Sequence, residues 1–301
     1  MKRLLMALVL GVFVAAQAEE PKKVLLVTTT TGFRHSSIPT AEKIIQKLAK
    51  ESGAFTVDLC QQPPNQPKGP QLPKNPTPEQ QAKYKEEQEK SKGAVEAWNA
   101  QMKKNLEMLS PESLKKYDGV IFANTTGDLP IPDKDAFIAW VKEGHGFVGM
   151  HSASDTYHGF RPYIEMLGGE FGGHGAQVHV DAINQDDKCP MCAHLQAKFG
   201  VFDEIYIIKS FDRTKMHGLL TLDAHPNTKA PGDFPIAWAK DFGKGHVFYT
   251  SLGHREDVWD EDAPGKRENT KEVSLAYQKH ILNGIKWSLG LEKCDVTPQG
   301  K

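Results

Sequence analysis

Residues 146–155 read GFVGMHSASD. Five uncharged, mostly apolar residues run without a break and stop at His151. A run this short with no polar face reads as a strand buried on both sides, the habit of parallel sheets. The change to His151-Ser152-Ala153 has the shape of a sharp strand-to-helix turn that presents a functional side chain. Working outward, the same reading fits Lys23–Thr29 (KVLLVTT), Gly119–Ala123 (GVIFA) and Val247–Leu252. Phe55–Cys60 alternates like a further strand. Helical spacing lies between them: Pro39–Lys50 with Ile44, Ile45, Leu48 and Ala49, Asp133–Glu143 stopped by Gly144, and a short helix over 160–167. Thr270–Leu289 reads as a closing helix on Ala276, Ile281, Ile285 and Trp287. Strand–helix–strand alternation predicts an α/β fold, a mainly parallel sheet flanked by helices. The later runs Gln177–Ala182, Asp203–Lys209, Gly218–Leu222 and Ile236–Lys240 predict an antiparallel extension.

The 301 residues carry 37 Lys+Arg against 38 Asp+Glu, and 39% are hydrophobic. That balance excludes a wholly disordered chain and gives no clustered basic excess for a nucleic-acid partner. Gln61–Pro76 holds six prolines and reads as an extended linker. Thr77, Pro78 and Gln80 then take N-cap, N1 and N3 positions of a polar, exposed helix over 78–108, so 61–109 is a helical insertion. Residues 1–18 pair Lys2-Arg3 with an apolar Leu4–Ala15 run and an Ala-Gln-Ala end, the pattern of a cleaved signal peptide. The run is short of the roughly 20 residues that span a bilayer. The expected division is a signal over 1–18, one α/β domain over 19–292 and a tail over 293–301, in a periplasmic or secreted protein with no membrane span once the signal is removed. In an oxidising compartment Cys189 and Cys192, spaced C-x-x-C, are expected to form a local disulfide.

Ligands in open α/β sheets bind beyond the carboxyl ends of strands. Three such ends deliver a histidine: His35, His151 and His254. Neutral imidazoles with a carboxylate make a zinc-type donor set with room for water, so these three with Glu204 are the candidate metal ligands, zinc being the expected ion. Without metal the same groups serve as general acids or bases. His151 and Glu204 are the catalytic candidates, Glu204 as fourth ligand or base, with Asp155 orienting His151. Arg34, His174, Gln177 and Asp128 are candidate substrate contacts, Arg34 either holding an anionic group or pairing with Asp128. Ser152 is a weaker nucleophile candidate. Trp140, Trp238 and Trp259 are candidate stacking residues. The loop Thr30–His35 is not G-x-G-x-x-G, and no G-x-x-x-x-G-K-[ST] or G-x-S-x-G pattern occurs, so nucleotide-phosphate and serine-hydrolase readings lack motif support.

TTTTGFRHSSI (28–38), YDGVIFANTTGD (117–128), FVGMHSASDT (147–156), DEIY (203–206) and PIAWAKDFGKGHVFYTSLGH (235–254) together resemble the ThuA-like, trehalose-utilisation proteins. The resemblance implies a class I glutamine amidotransferase-like fold. It places His151 where true amidotransferases keep their nucleophilic Cys, and His254-Arg255-Glu256 where their His-x-Glu lies, so thiol-based glutamine hydrolysis is not expected. It implies work on disaccharides or 3-keto-glycosides, with a metal in the pocket of some members. The chain departs from the family in the 61–109 insertion, in KCPMCAHL (188–195), and at Ile205, where Trp is frequent. Two readings follow: a metal-assisted enzyme of lyase, isomerase or hydrolase type, or a non-catalytic carbohydrate-binding module using the same cleft. In both the partner is a small carbohydrate.

Overall fold

The computed structural model describes residues 20–300. The expected signal segment therefore lies outside the described residues. In chain order the strands are β1 (Lys22–Val27), β2 (Phe55–Cys60), β3 (Gly119–Ala123), β4 (Gly146–Met150), β5 (Glu170–His174), β6 (Val178–Asn184), β7 (Lys198–Asp203), β8 (Tyr206–Lys209), β9 (His217–Ala224), β10 (Pro231–Phe242) and β11 (Gly245–Thr250). The helices are α1 (Ile38–Ser52), α2 (Pro78–Leu106), α3 (Pro111–Leu114), α4 (Lys134–Lys142), α5 (Arg161–Leu167), α6 (Glu256–Trp259) and α7 (Lys271–Ser288).

The main sheet runs β2-β1-β3-β4-β11-β10-β9-β6-β7. Its first five strands are parallel and in register: Val27 faces Phe122, Ala123 faces Met150, and Met150 faces Thr250. Period-two alternation decides which face each side chain joins. Val24, Leu26, Ile121, Val148 and Phe248 pack with α1 and α7 residues such as Ile44 and Ile285. Leu25, Val27, Phe122, Phe147 and Tyr249 pack with Phe137 and Tyr163 on the other side. Both faces are covered, which is why these strands carry no polar stripe.

From β10 onward the pairing is antiparallel. β6 meets β9 only at Ile183–Thr221 and Asn184–Leu220, while it pairs with β7 from Val178–Asp203 to Ile183–Lys198. The β6–β7 hairpin is thus anchored at one end, and its other end, carrying Asp203, is released from the sheet. β5 and β8 form a separate two-stranded ribbon. The single strand expected over Asp203–Lys209 is therefore two strands in two sheets, broken at Glu204-Ile205.

The insertion forms as its caps dictate. Thr77 and Gln80 close a capping box with Pro78 in the first turn. Most of α2 is exposed, yet Met102 and Leu106 enter the core, Trp98 Nε1 donates to the Pro63 carbonyl and Asn105 Nδ2 to the Gln61 carbonyl. The helix is polar along its middle and docked at its C-terminal end.

The Cys189–Cys192 disulfide is not formed. Cys189 bonds Cys294, 105 residues away, and Cys192 is a buried free thiol. The cause is local. Cys192 and Ala193 amides both donate to the Cys189 carbonyl at 2.8 Å, closing a helical turn. Its two sulfurs part: Cys192 goes into the core beside Leu219, and Cys189 faces the tail. The tail is consequently held, with the Thr297 carbonyl 3.0 Å from His217 Nδ1. Trp140, Trp238 and Trp259 are all buried, so none is open to stack on a ligand. Among the described residues, no helix is long and apolar enough to cross a membrane.

Candidate functional site

Parallel register brings the carboxyl ends of β1, β4 and β11 to one edge, and His35, His151 and His254 meet there. His151 is the first residue beyond β4, buried, with φ of 48°. A non-glycine residue in that region costs about 1–3 kcal/mol and persists where its surroundings hold it. Here they do. Tyr249 Oη donates to the His151 carbonyl at 2.7 Å, Tyr163 Oη to the Ala153 carbonyl at 2.8 Å, and Ser154 shares a 2.8 Å hydrogen bond with Tyr249. Gly149 leaves room for the turn: a Cβ there would lie 2.9 Å from Leu167 and 3.1 Å from Tyr249.

His151 Nδ1 lies 2.8 Å from the Ser251 carbonyl. A carbonyl only accepts, so Nδ1 carries the proton and Nε2 presents its lone pair. That lone pair faces His35 Nε2 at 3.2 Å and the Tyr206 hydroxyl at 3.0 Å. His35 is fixed from behind by Ser152 Oγ at 3.2 Å from Nδ1. Glu204 completes the group. Its Oε2 is 3.2 Å from His254 Nδ1 and 4.0 Å from His151 Nε2, and its Oε1 is 3.1 Å from His174 Nδ1. His35, His151, Glu204 and His254 each offer a ligand atom, all within 4.8 Å of one another.

Glu204 arrives through Asp203. The buried Asp203 carboxylate accepts the Glu204 amide at 2.9 Å and the Gly253 amide at 2.7 Å. It thereby ties the released end of the β6–β7 hairpin to the loop that carries His254. Burial pushes the Asp203 carboxyl up to about 6 against the pull of those amides. Burial, joined by the charge of His254, pushes His35 down to about 4, and burial holds His151 well below the usual imidazole range. Both are neutral near pH 7, the form that ligates metals. Burial works against charge on Glu204 and His254 too, but their mutual contact prevails, lowering Glu204 and raising His254.

Other expected residues lie elsewhere. Asp155 does not orient His151; the Ser251 carbonyl does, and Asp155 Oδ1 sits 2.5 Å from His158 Nε2. Arg34 does not pair with Asp128: it donates to the Thr28 carbonyl and Gln62, and Asp128 pairs with Lys134. Gln177 accepts from Arg255 at 2.9 Å, so it braces that loop rather than facing the cluster. Of the four substrate candidates, His174 alone reaches it. Tyr206 and Asp203 were missed as site-builders. The DEIY stretch held both, but only the break after β7 shows what each touches. No cysteine lies at the turn, and burial pushes the Cys60 thiol up to about 12.

No curated protein matches the sequence. Among solved structures the fold is similar to a ThuA-like protein from Bacteroides uniformis, with TM-score 0.61 and 19% identity over 93% of this chain and 97% of that one. It is similar to another from Parabacteroides merdae, with TM-score 0.60 and 18% identity over 92% and 93% of the two chains. A β-galactosidase from Bacillus circulans matches with TM-score 0.50 and 10% identity, over 93% of this chain and 32% of its own. At these identities the likeness concerns the fold. The sequence itself matches the ThuA family model, described as trehalose utilisation, across residues 74–288, and the chain belongs to that family.

Proposed function

We propose that the protein is an exported, metal-assisted enzyme acting on a disaccharide or 3-keto-glycoside by lyase, isomerase or hydrolase chemistry. One observation carries the reading: three histidines and a carboxylate from four separate segments offer ligand atoms within 4.8 Å. The donor chemistry fits a divalent ion such as zinc. Two of the imidazoles are neutral, and His151 has its far nitrogen bonded to a carbonyl, as ligating histidines do. His35, His151, His254 and Glu204 would hold the ion, which would polarise a carbonyl oxygen or lower the pKa of a bound water.

The chain's own groups have distinct tasks. His151 is fixed from behind by the Ser251 carbonyl, so it presents a lone pair rather than a proton to the pocket, and His35 is held in place by Ser152. Glu204 is either the fourth ligand of the ion or the base that takes a proton from a substrate hydroxyl or a water. His174, 3.1 Å away and partly open to solvent, exchanges that proton with bulk water. Thiol-based amidotransferase chemistry has no nucleophile at the elbow. The Cys189–Cys294 bridge supports an oxidising compartment, in keeping with export.

Mass spectrometry of the metal content of purified protein, beside His151→Ala and His254→Ala, tests this. About one equivalent of divalent ion, lost in both variants, is expected. Absence of metal after reconstitution with zinc, manganese and nickel would overturn the metal reading. A second reading is a carbohydrate-binding module, favoured by the exposed ring of Phe33 beside His35. Calorimetric binding of an intact disaccharide with no product after long incubation would establish it.

A further inference from the structure

We infer that Phe33 is the platform on which a pyranose ring of the substrate stacks, setting a glycoside's position over the histidine cluster. The inference rests on the carbohydrate reading above and adds the residue that selects for it. Phe33 is 66% exposed. Leu72 and Leu275 are also exposed, but they lie on the insertion and on α7. Phe33 sits against the cluster, its ring 4.8 Å from that of His35 in an edge-on arrangement.

The backbone that carries the exposed ring is held in place. Thr126 Oγ1 donates to the Phe33 carbonyl at 2.8 Å, and the Thr31 amide donates to the Thr126 carbonyl at 3.0 Å. On the far side the Arg34 guanidinium is bound to the Thr28 carbonyl and to Gln62. Glycines permit the close approach of the two loops: a Cβ on Gly127 would lie 2.4 Å from Thr31 Oγ1, and one on Gly32 3.0 Å from Thr126 Oγ1. A loop held in place this way loses little backbone entropy when a ligand covers the ring it carries. The fixed loop also keeps the ring in water when no ligand is there, so covering it is favourable.

The chemistry of the two exposed groups that touch the cluster differs. Phe33 meets it through His35 and offers an apolar face. His174 meets it through Glu204 and offers a polar edge. A pyranose has the matching pair of surfaces, a face of C–H bonds and a rim of hydroxyls. Inorganic phosphate or a simple carboxylate such as acetate has no such face.

Phe33→Ala, Phe33→Leu and Phe33→Trp test the assignment. The side chain is exposed, so all three are expected to fold with unchanged melting temperature and metal content. Calorimetric titration with trehalose, cellobiose, maltose and their 3-keto forms gives the affinities. For whichever sugar the unaltered protein binds, Ala and Leu are expected to weaken binding at least about tenfold, and Trp to retain it. If turnover is measurable, the loss falls on KM, with kcat changed less. Equal affinity in Phe33→Ala overturns the assignment. So does loss in Ala that Leu fully restores, because that outcome needs bulk and not a ring. Failure of the unaltered protein to bind any of these sugars overturns both this and the carbohydrate reading, whereas the first two results leave that reading standing.

Discussion

The two halves of the sheet reach the same site by different physics. In the parallel half, β1, β4 and β11 run the same way, so their carboxyl ends share one edge and three histidines arrive together by topology alone. In the antiparallel half direction alternates from strand to strand, so β7 runs with β11 and its carboxyl end points to the same edge, but from far off. β7 is four strands from β11, about 19 Å in a flat sheet. Yet Asp203, its last residue, accepts a hydrogen bond from Gly253 at 2.7 Å. The difference is made by the two-residue pairing of β6 with β9, which lets the β6–β7 hairpin curl back over the site. One half supplies ligands by register, the other by a fold-over that a single buried carboxylate fastens.

The largest expected effect tests whether the curled half belongs to the site. Glu204→Gln keeps size but turns one accepting oxygen into an amide donor and removes charge and basicity. If the hairpin delivers a working group, turnover of a processed sugar falls about a thousandfold or more and metal affinity drops, while melting temperature changes little. Turnover and metal content equal to the unaltered protein would show that the parallel half makes the site alone. Loss of both in His151→Ala alone would then locate the whole chemistry at the strand ends.

A smaller effect probes what holds the extension in place. The Cys189–Cys294 bridge closes 105 residues and ties the C-terminal tail to the loop before β7. Cys189→Ser with Cys294→Ser is expected to lower unfolding free energy by about 2–4 kcal/mol in denaturant titration. Cys192→Ser is a different experiment, since that thiol is fully buried and unbridged. Peptide mapping under non-reducing conditions that finds Cys189 joined to Cys192 would break the pairing and the account of the tail.

The same contrast explains what could be read from sequence. Buried parallel strands have an unbroken apolar signature, so GVIFA and GFVGM, and the histidines beyond β1, β4 and β11, were legible. Partners across the antiparallel half were not. Periodicity runs smoothly through Asp203–Lys209 and cannot show that the chain changes sheets at Glu204. EFGGH of β5 has two glycines and no alternation to mark it. Asp155 was a reasonable orienting group for His151 on spacing, but a backbone carbonyl 100 residues away does that task, and carbonyls carry no sequence signal. The two cysteines closest in sequence are the natural pair until the turn between them sends their sulfurs apart.

The smallest effect concerns the hinge between the halves. Asp257 is the second residue of α6, just after the His254 loop, and is buried. Its carboxylate accepts from Arg255, from the Glu268 and Asn269 amides and from the Asn269 side chain, and Asn269 in turn bonds the Phe202 backbone at the end of β7. Burial opposes the charge, but Arg255 and these amides outweigh it and hold Asp257 at about 2. The unfolded carboxyl titrates near about 3.9. Folded pKa below unfolded pKa means that the stabilisation is fully present above about pH 4 and is lost as pH falls toward about 2. Asp257→Asn should therefore flatten the acid limb of the stability curve between those values by lowering its neutral region toward the acid value, the loss being the stabilisation that the ionised carboxylate supplies. An acid limb of unchanged slope in Asp257→Asn would place the acid sensitivity in other carboxylates. It would leave the β7 end held to the His254 loop by Asp203 and the neutral bonds of Asn269, with no ionic contribution from α6.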